Sequence, residues 1–515
     1  MSAPHNLMAV LAETRTEVES LRAQLKATTA RLLPTQRNPL LALDVYKMGH
    51  MEQYVPGCNK VFAYLQARSD KTFKKTVFFG LQYYLTQYFS LPLTHEMGAE
   101  FLENRARILG TENSDEVIGK IRALCDLGYW PLEIRAVPEG TVMDTRNVLM
   151  TITNTHPDFY WCVGFIESLI LKIWYSITVA SHSYAYRTVV NAHFDATVDT
   201  ALSFLRQFTV HDFGYRGDSS EEGAALSGVA HLLSFTGSDT VPALQFARQF
   251  YFASPDEFVM ASVPASEHSV MCSFGKNDEI GAFRNMLRLY PTGIISIVSD
   301  TFDVYRVLTE FAIELCEEIL ARPEGSKVVF RPDSGNPENI ICGDPDAIPG
   351  SLEWKGGIRL LDEVFGHTVN AKGFKVLNAK VGMIYGDGMY LERYERTLLR
   401  LREMGYAACN LVIGVGGILR HHSRDTFGFA IKATHVEVNG VPRDIEKDPV
   451  TDKSKKSHKG LIALMHGADG EFVTVDQCTL EEEEASLLPR VYRDGRVLIT
   501  YALAEIRARV EESLS

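Results

Sequence analysis

An arginine and an aspartate two residues apart, Arg331 and Asp333, close the apolar run Val328-Val329-Phe330, and Pro332, Gly335 and Pro337 fix the turn that follows. If the run is a strand, alternation sends both side chains to one face. A guanidinium and a carboxylate at the mouth of a buried strand are costly unless they hold a ligand, the alternative being an internal ion pair. Arg matches phosphate oxygens through its planar fork, whereas Asp suits ribose hydroxyls or a metal ion. Gly386-Asp387-Gly388 and Gly414-Val415-Gly416-Gly417 end two further apolar runs. Glycine at such places lets backbone N–H groups reach phosphate oxygens with no Cβ between them. Beside Arg331 the two loops predict a phosphate cradle. Neither is a dinucleotide fingerprint, since the third glycine of G-x-G-x-x-G is missing, and no Walker A sequence occurs.

A second group surrounds His268, which follows Ser266-Glu267 and precedes Ser269, while Asp300 ends the run Ile297-Val298-Ser299. General base, nucleophile toward phosphorus and hydrogen-bonded structural histidine all remain open for it. His421-His422 are adjacent rather than four apart, which does not suit zinc. In the stretch from His211 to Gly217, Phe213 and Arg216 offer a clamp for a flat ring with a phosphate nearby, core packing of Phe213 being the alternative. Ser219 and Glu222 read as a capping box for the next helix.

The elements that must carry these residues follow from periodicity. Apolar strands are expected at 294–300, 327–335, 381–388 and 409–417, with a helix between the first two whose apolar positions Val304, Val307, Leu308, Phe311, Ala312, Leu315, Ile319 and Leu320 keep the 3.6 period. Strand, loop, helix, strand means βαβ units and a parallel sheet. A (β/α) barrel fits the window 205–435, and its site lies at the C-terminal strand ends. Residues 40–150 mix helices with strands at 60–65 and 132–136. The apolar stretch 161–180 contains Glu167 and Lys172 and reads as a buried helix rather than a membrane span. Leu7, Leu11, Val18, Leu21, Leu25 and Leu32 predict an N-terminal helix of about four heptads. The basic loop around Lys447, Lys453, Lys455, Lys456 and Lys459 and the acidic run 481–484 read as solvated surface.

The composition is that of an ordinary soluble chain of two or three domains: 515 residues, 46% hydrophobic, with 52 Lys+Arg against 65 Asp+Glu for a net charge of −13. That sign disfavours nucleic acid, and leaves a small anion to be held by a local basic cluster. Eight cysteines without a C-x-x-C pair speak against a zinc ribbon or a disulfide framework. The first forty residues lack a signal-peptide core and carry Glu13, Glu17 and Glu19, so a cytoplasmic setting is expected.

Read together, LDVYKMGHMEQYVPG near residue 43, FFGLQYYL at 78, HDFGYRG at 211, GSDTV at 237, VPASEHS at 263, SIVSDTFDVY at 296, VVFRPDSGNP at 328, GDG at 386, GVGG at 414, SRD at 423 and KDPVTDKSKKSHKG at 447 closely resemble the nicotinamide phosphoribosyltransferase family, in that family's order. The resemblance begins near residue 40. It implies an α/β chain of the type II phosphoribosyltransferase fold, a (β/α) barrel at 191–424 with a mostly antiparallel α+β sheet domain from 38–190 and 425–515, plus a helical extension at 1–37. It also implies a homodimer with active sites at the subunit interface. The reaction implied joins nicotinamide to 5-phosphoribosyl-1-pyrophosphate, giving nicotinamide mononucleotide and pyrophosphate in NAD salvage.

By resemblance Phe213 and Tyr46 of the partner subunit sandwich the pyridine ring, and Asp239 meets the carboxamide. Arg216, Ser296, Arg331, Gly386, Gly416 and Gly417 surround the nucleotide, with Asp333 and Asp387 on the ribose. Arg68, Arg424 and Lys432 match positions for pyrophosphate and phosphate. His268 matches a histidine phosphorylated by ATP, supported by Glu267 and Asp300, and Mg²⁺ is the implied metal, carried mainly by pyrophosphate. Two departures stand out: Val415 replaces a frequent glycine of the phosphate loop, and Asp70 follows Arg68 where lysines are usual. Nicotinate phosphoribosyltransferase on the same scaffold, and a non-catalytic homologue, are the competing readings.

Overall fold

Apolar runs without alternation form strands buried on both faces, and Val381–Tyr385, in which every residue is buried, stands at the centre of a parallel sheet. The computed structural model describes residues 38–451 and 456–514. The heptad pattern at 7–32 and Lys453 and Lys455 of the basic loop lie outside the described residues. The parallel sheet runs in the order Val210–Asp212, Leu411–Val415, Val381–Tyr385, Lys327–Arg331, Ile294–Val298. Parallel bridges Asp212↔Ser238, Gly237↔Ala261 and Ala265↔Ser296 carry the ring on through two short extended segments and close it as a barrel. The second sheet is antiparallel throughout, ordered Val441–Asp444, Ala430–Val438, Cys58–Gln66, Val148–Asn154, Leu132–Ala136, Arg490–Arg493, Arg496–Val497.

Each of the four expected barrel strands ends two or more residues early, at Val298, Arg331, Tyr385 and Val415. The polar and glycine residues beyond those points leave the ladder and become the loops that carry chemistry. The helix expected at 304–320 is broken into Val304–Arg306, a π turn at Val307–Phe311, Ala312–Glu314 and Cys316–Leu320. Its apolar face survives the break, except that Leu320 is 40% exposed. The helix after residue 220 is capped by Ser220, not Ser219: Ser220 Oγ accepts from Gly223 N at 3.0 Å, while Glu222 takes the Tyr88 hydroxyl at 3.2 Å. In the acidic run, Glu483 and Glu484 pair with the buried Arg135, so this stretch is an ion network and not simply solvated surface.

By length and mean hydropathy Pro157–Thr197 qualifies as a membrane span, yet most of its apolar window is buried inside the fold. It comprises four short helical segments and then Trp174–Thr197. Along this last helix Ile177, Val179 and Ala180 belong to the core beneath the antiparallel sheet, whereas Tyr186, Val190 and Phe194 belong to the barrel core. The helix therefore spans both units, and the boundary expected at 190/191 falls within it. Helices Glu221–His231 and Pro242–Phe250, which lie in the barrel stretch of the sequence, bury Leu226, Val229 and Phe246 in the core of the sheet domain.

Candidate functional site

At the C-terminal ends of the parallel strands lies a cavity of about 740 Å³. Its walls bring together Phe213, Arg216, Asp239, Arg331, Asp333, Gly386, Asp387, Gly416 and Gly417, to which the structure adds Tyr215 and Gly217. Two backbone bonds fix the wall that carries Phe213 and Asp239: Phe213 N donates to Val415 O at 3.0 Å, and Asp239 N to Asp212 O at 2.9 Å. Phe213 packs against Gly414, where a Cβ would come within 2.1 Å of the ring. A Cβ on Gly386 would stand 2.0 Å from Asp333 Oδ1, so the glycine makes room for that carboxylate. Ser262 donates to Asp239 Oδ1, leaving the other oxygen of this exposed carboxylate to accept from a ligand.

A second wall is built on Asp300. Asp300 Oδ2 accepts from Asp333 N at 2.9 Å and Oδ1 meets His268 Nε2 at 3.2 Å. The Asp300 side chain is 3% exposed and that of His268 50%, so a buried carboxylate holds a solvent-facing imidazole. Glu267 accepts from the Ser269 hydroxyl. Burial pushes the Asp333 carboxyl above its ordinary pKa, opposed by Arg331 and reinforced by Asp300 and Asp387. Asp333 Oδ1 is buried and has no hydrogen-bond partner among the described residues. Arg331 is steered by the carbonyl of Ser266 and by Ser299 Oγ, which accepts from its backbone N–H at 3.1 Å. Ser296 does not line the cavity: it is buried in the strand below, with its carbonyl taking Ser266 N and its Oγ unpartnered.

Sequence reasoning missed the support beneath the Phe213 loop. Arg420 is fully buried and pairs with Asp212 and Asp218, each at 2.7 Å. Asp212 also accepts from Gly214 N and from the Thr240 hydroxyl at 2.8 Å, and Asp218 from the hydroxyls of Tyr175 and Ser227. The two aspartates bracket Phe213 to Gly217, which is the one signal the sequence offered.

Tyr46, Arg68, Arg424 and Lys432 do not line this cavity. They belong to a patch on the antiparallel domain. Tyr46 is 61% exposed, with Lys47 over its ring at 5.3 Å and Lys47 paired to Glu167 at 2.7 Å. Burial lowers the Lys432 pKa; Glu167 opposes this, while Arg68, Lys447 and Arg424 add to it. Lys447, expected in a solvated loop, is thus part of the basic cluster. Lys456 and Lys459 pair with Glu446 at the surface. Asp70 is held by Lys74 and Arg146.

Residues 208–496 match the family model described as the nicotinate phosphoribosyltransferase (NAPRTase) family, and residues 38–113 that of the nicotinamide phosphoribosyltransferase N-terminal domain. The nicotinamide phosphoribosyltransferase of Acinetobacter baylyi is 41% identical over 501 residues, covering 93% of this chain and 98% of that protein. That of Xanthomonas campestris pv. campestris is 37% identical over 484 residues, covering 92% and 98%. Among solved structures, nicotinate-nucleotide pyrophosphorylase from Pyrococcus furiosus superposes with a TM-score of 0.54 at 14% identity, covering 92% of this chain and 94% of that one. Human nicotinic acid phosphoribosyltransferase does so at 0.51 and 16%, covering 91% and 93%. These two likenesses speak for the fold.

Proposed function

The chain belongs to the nicotinamide phosphoribosyltransferase family, and on that premise we propose how its residues carry the reaction. It is a pentosyltransferase of NAD salvage: the ring nitrogen of nicotinamide bonds to C1 of 5-phosphoribosyl-1-pyrophosphate as the bond from C1 to pyrophosphate breaks, leaving nicotinamide mononucleotide. The observation that carries the assignment of roles is the single cavity in which Phe213, Asp239, Arg331 and Asp333 meet two glycine loops. Phe213 takes one face of the pyridine. Asp239 accepts from the carboxamide NH₂ and repels a carboxylate in the same place. Arg216, Arg331 and the N–H groups of Gly416 and Gly417 bind phosphate and ribose oxygens, Gly386 keeps the wall open beside Asp333, and Asp333 and Asp387 accept from ribose hydroxyls. As the C1 bond breaks, positive charge grows on the sugar, and the fixed carboxylates beside it stabilise that charge without reorganising.

Of the two aromatics in the cavity, Phe213 is the one assigned to the ring, the Tyr215 hydroxyl being tied to Glu221 at 2.7 Å, and Tyr46 is exposed elsewhere. That supports a homodimer in which Tyr46 of the partner subunit supplies the second face. The patch with Arg68, Arg424, Lys432 and Lys447 then brings cationic charge to the departing pyrophosphate. Mg²⁺ prefers oxygen ligands and takes one or two carboxylates together with substrate phosphates. Asp333, with its unpartnered Oδ1, and Asp387 beside it fit that donor set, and the ion would neutralise charge on the leaving group. The eight unpaired cysteines support a cytoplasmic setting.

ATP enters through His268. Asp300 accepts the Nε2 proton, which leaves the Nδ1 lone pair to attack the γ-phosphorus; the P–N bond forms as the bond to ADP breaks, and water later takes the phosphoryl group. The His268→Ala variant is expected to lose the acid-labile label deposited by γ-labelled ATP, down to background, together with the stimulation of turnover by ATP. Label persisting in that variant would refute the role of His268.

Selection of the amide rests on Asp239. In Asp239→Asn the ratio of kcat/KM for nicotinamide to that for nicotinate is expected to fall by about 10²-fold, because a like-charge repulsion is removed. Steady-state kinetics with both bases measure it, and a wild-type enzyme that prefers nicotinate would overturn the assignment.

A further inference from the structure

A second cavity, of about 650 Å³, opens at the opposite end of the barrel and plays no part in the reaction described above. Its walls come from the residues just ahead of the parallel segments, including Ser234 before Gly237 and Phe258 before Ala261, and from the C-terminal helix Leu503–Glu512. Three guanidiniums, those of Arg187, Arg206 and Arg507, face one carboxylate, that of Glu511. Arg187 pairs with Glu511 at 3.0 Å, and Arg206 turns outward to Asp195 at 2.9 Å. Arg507 spends its donors on the carbonyls of Leu232, Phe258 and Val259, and among the described residues no carboxylate lies within 4 Å of it. Burial lowers its pKa to about 10, the field of Glu257 only partly offsetting this.

A cation drawn partly out of water with no carboxylate within ion-pair distance is expensive, and Arg507, partly exposed in this wall, stands in a concave site of a protein whose net charge is −13. Ser234 is 4% exposed and its Oγ has no partner among the described residues. Two phenylalanines of the wall, Phe204 and Phe258, remain 57% and 56% exposed, although an aromatic face is usually covered when a neighbour is available. Surplus positive charge, an idle hydroxyl and two open rings in a space of ligand size together describe a receptor for a flat ring carrying an anion.

We propose that this cavity binds a nucleoside monophosphate, with the phosphate set against the guanidiniums and Ser234 Oγ and the base against Phe204 and Phe258. The test is calorimetric titration of the full chain with adenosine monophosphate, without the other substrates, so that its outcome does not depend on turnover. Three proteins are compared: wild type, Phe204→Ala/Ser234→Ala, and Arg216→Ala/Asp333→Ala in the reaction cavity. Phe204 is exposed and Ser234 Oγ idle, so the first double variant is expected to fold; Arg206→Gln tests the same wall through its charge. Expected is binding to wild type that weakens at least about 10-fold, or about 1.4 kcal/mol, in Phe204→Ala/Ser234→Ala and in Arg206→Gln, and that persists in the reaction-cavity variant. Inorganic phosphate is expected to bind more weakly than the nucleotide. Absence of binding to wild type, loss only in the reaction-cavity variant, or phosphate binding as tightly as the nucleotide would each overturn the proposal.

Discussion

Arg420→Met is expected to destabilise the protein by about 3–5 kcal/mol, the cost of stranding buried charges whose partner is removed. Arg420 and Asp212 are fully buried and Asp218 is 4% exposed. Burial alone raises the Asp212 carboxyl, and Arg420 foremost, with His231 and the Gly214 N–H, reverses this and holds it below the usual carboxylate range. In the native protein this contribution is present above the unfolded carboxylate pKa and is lost only as pH falls through the lower folded value. Without Arg420 the sign inverts: the folded pKa rises above the unfolded one, so the variant loses stability as pH rises. Urea unfolding should therefore show a smaller deficit at pH 5 than at pH 8. Because the two aspartates bracket the Phe213 loop, the KM for nicotinamide should rise as well. A loss below about 1 kcal/mol would mean that the loop is held by packing instead.

Asp333→Asn is expected to lower kcat/KM by about 10³-fold, the scale on which loss of one preorganised charged contact acts in the transition state. Asparagine keeps the size that Gly386 accommodates and leaves the backbone bond to Asp300 intact, so the substitution removes charge rather than structure. Burial raises the Asp333 pKa, and the working form is the anion. Wild-type kcat/KM should accordingly decline as pH falls through a value above the ordinary aspartate pKa, and that limb should be missing in Asp333→Asn. A variant with full activity, or with an unchanged acidic limb, would show that Asp333 does not carry the charge the ribose needs.

Much of this site was legible in the sequence because parallel strands do two things at once. Their interiors are continuous apolar runs, and their ends must turn polar, so Arg331, Asp333, Gly386 and Gly416 announce themselves by where apolarity stops. The strand limits were less legible: Ser299 and Asp300 follow the apolar run directly, and nothing in the sequence marks Val298 rather than Asp300 as the end of the strand. The closing segments around Gly237 and Ala261 pair at single residues, too short for any period to reveal. Local periodicity also hides the π turn at Val307–Phe311, since a one-residue widening keeps most of the apolar stripe buried. Arg420 was invisible for another reason. Its partner Asp212 lies 208 residues away, and nothing local marks an arginine as buried. Tyr46, Arg68, Arg424 and Lys432 were placed by resemblance alone, because no spacing links them to the strand ends.

The way the barrel closes has a consequence for how the chain folds. Its narrowest seam, at Gly237 and Ala261, is flanked by the helices Glu221–His231 and Pro242–Phe250, whose apolar faces are buried in the other unit's core. The seam has little ladder of its own and must wait for a scaffold drawn from the distant N-terminal and C-terminal thirds of the sequence. Such long-range closure is slow and late. Neither half then has a complete nucleus of its own, and the chain should melt as a single cooperative body rather than as barrel and sheet in turn.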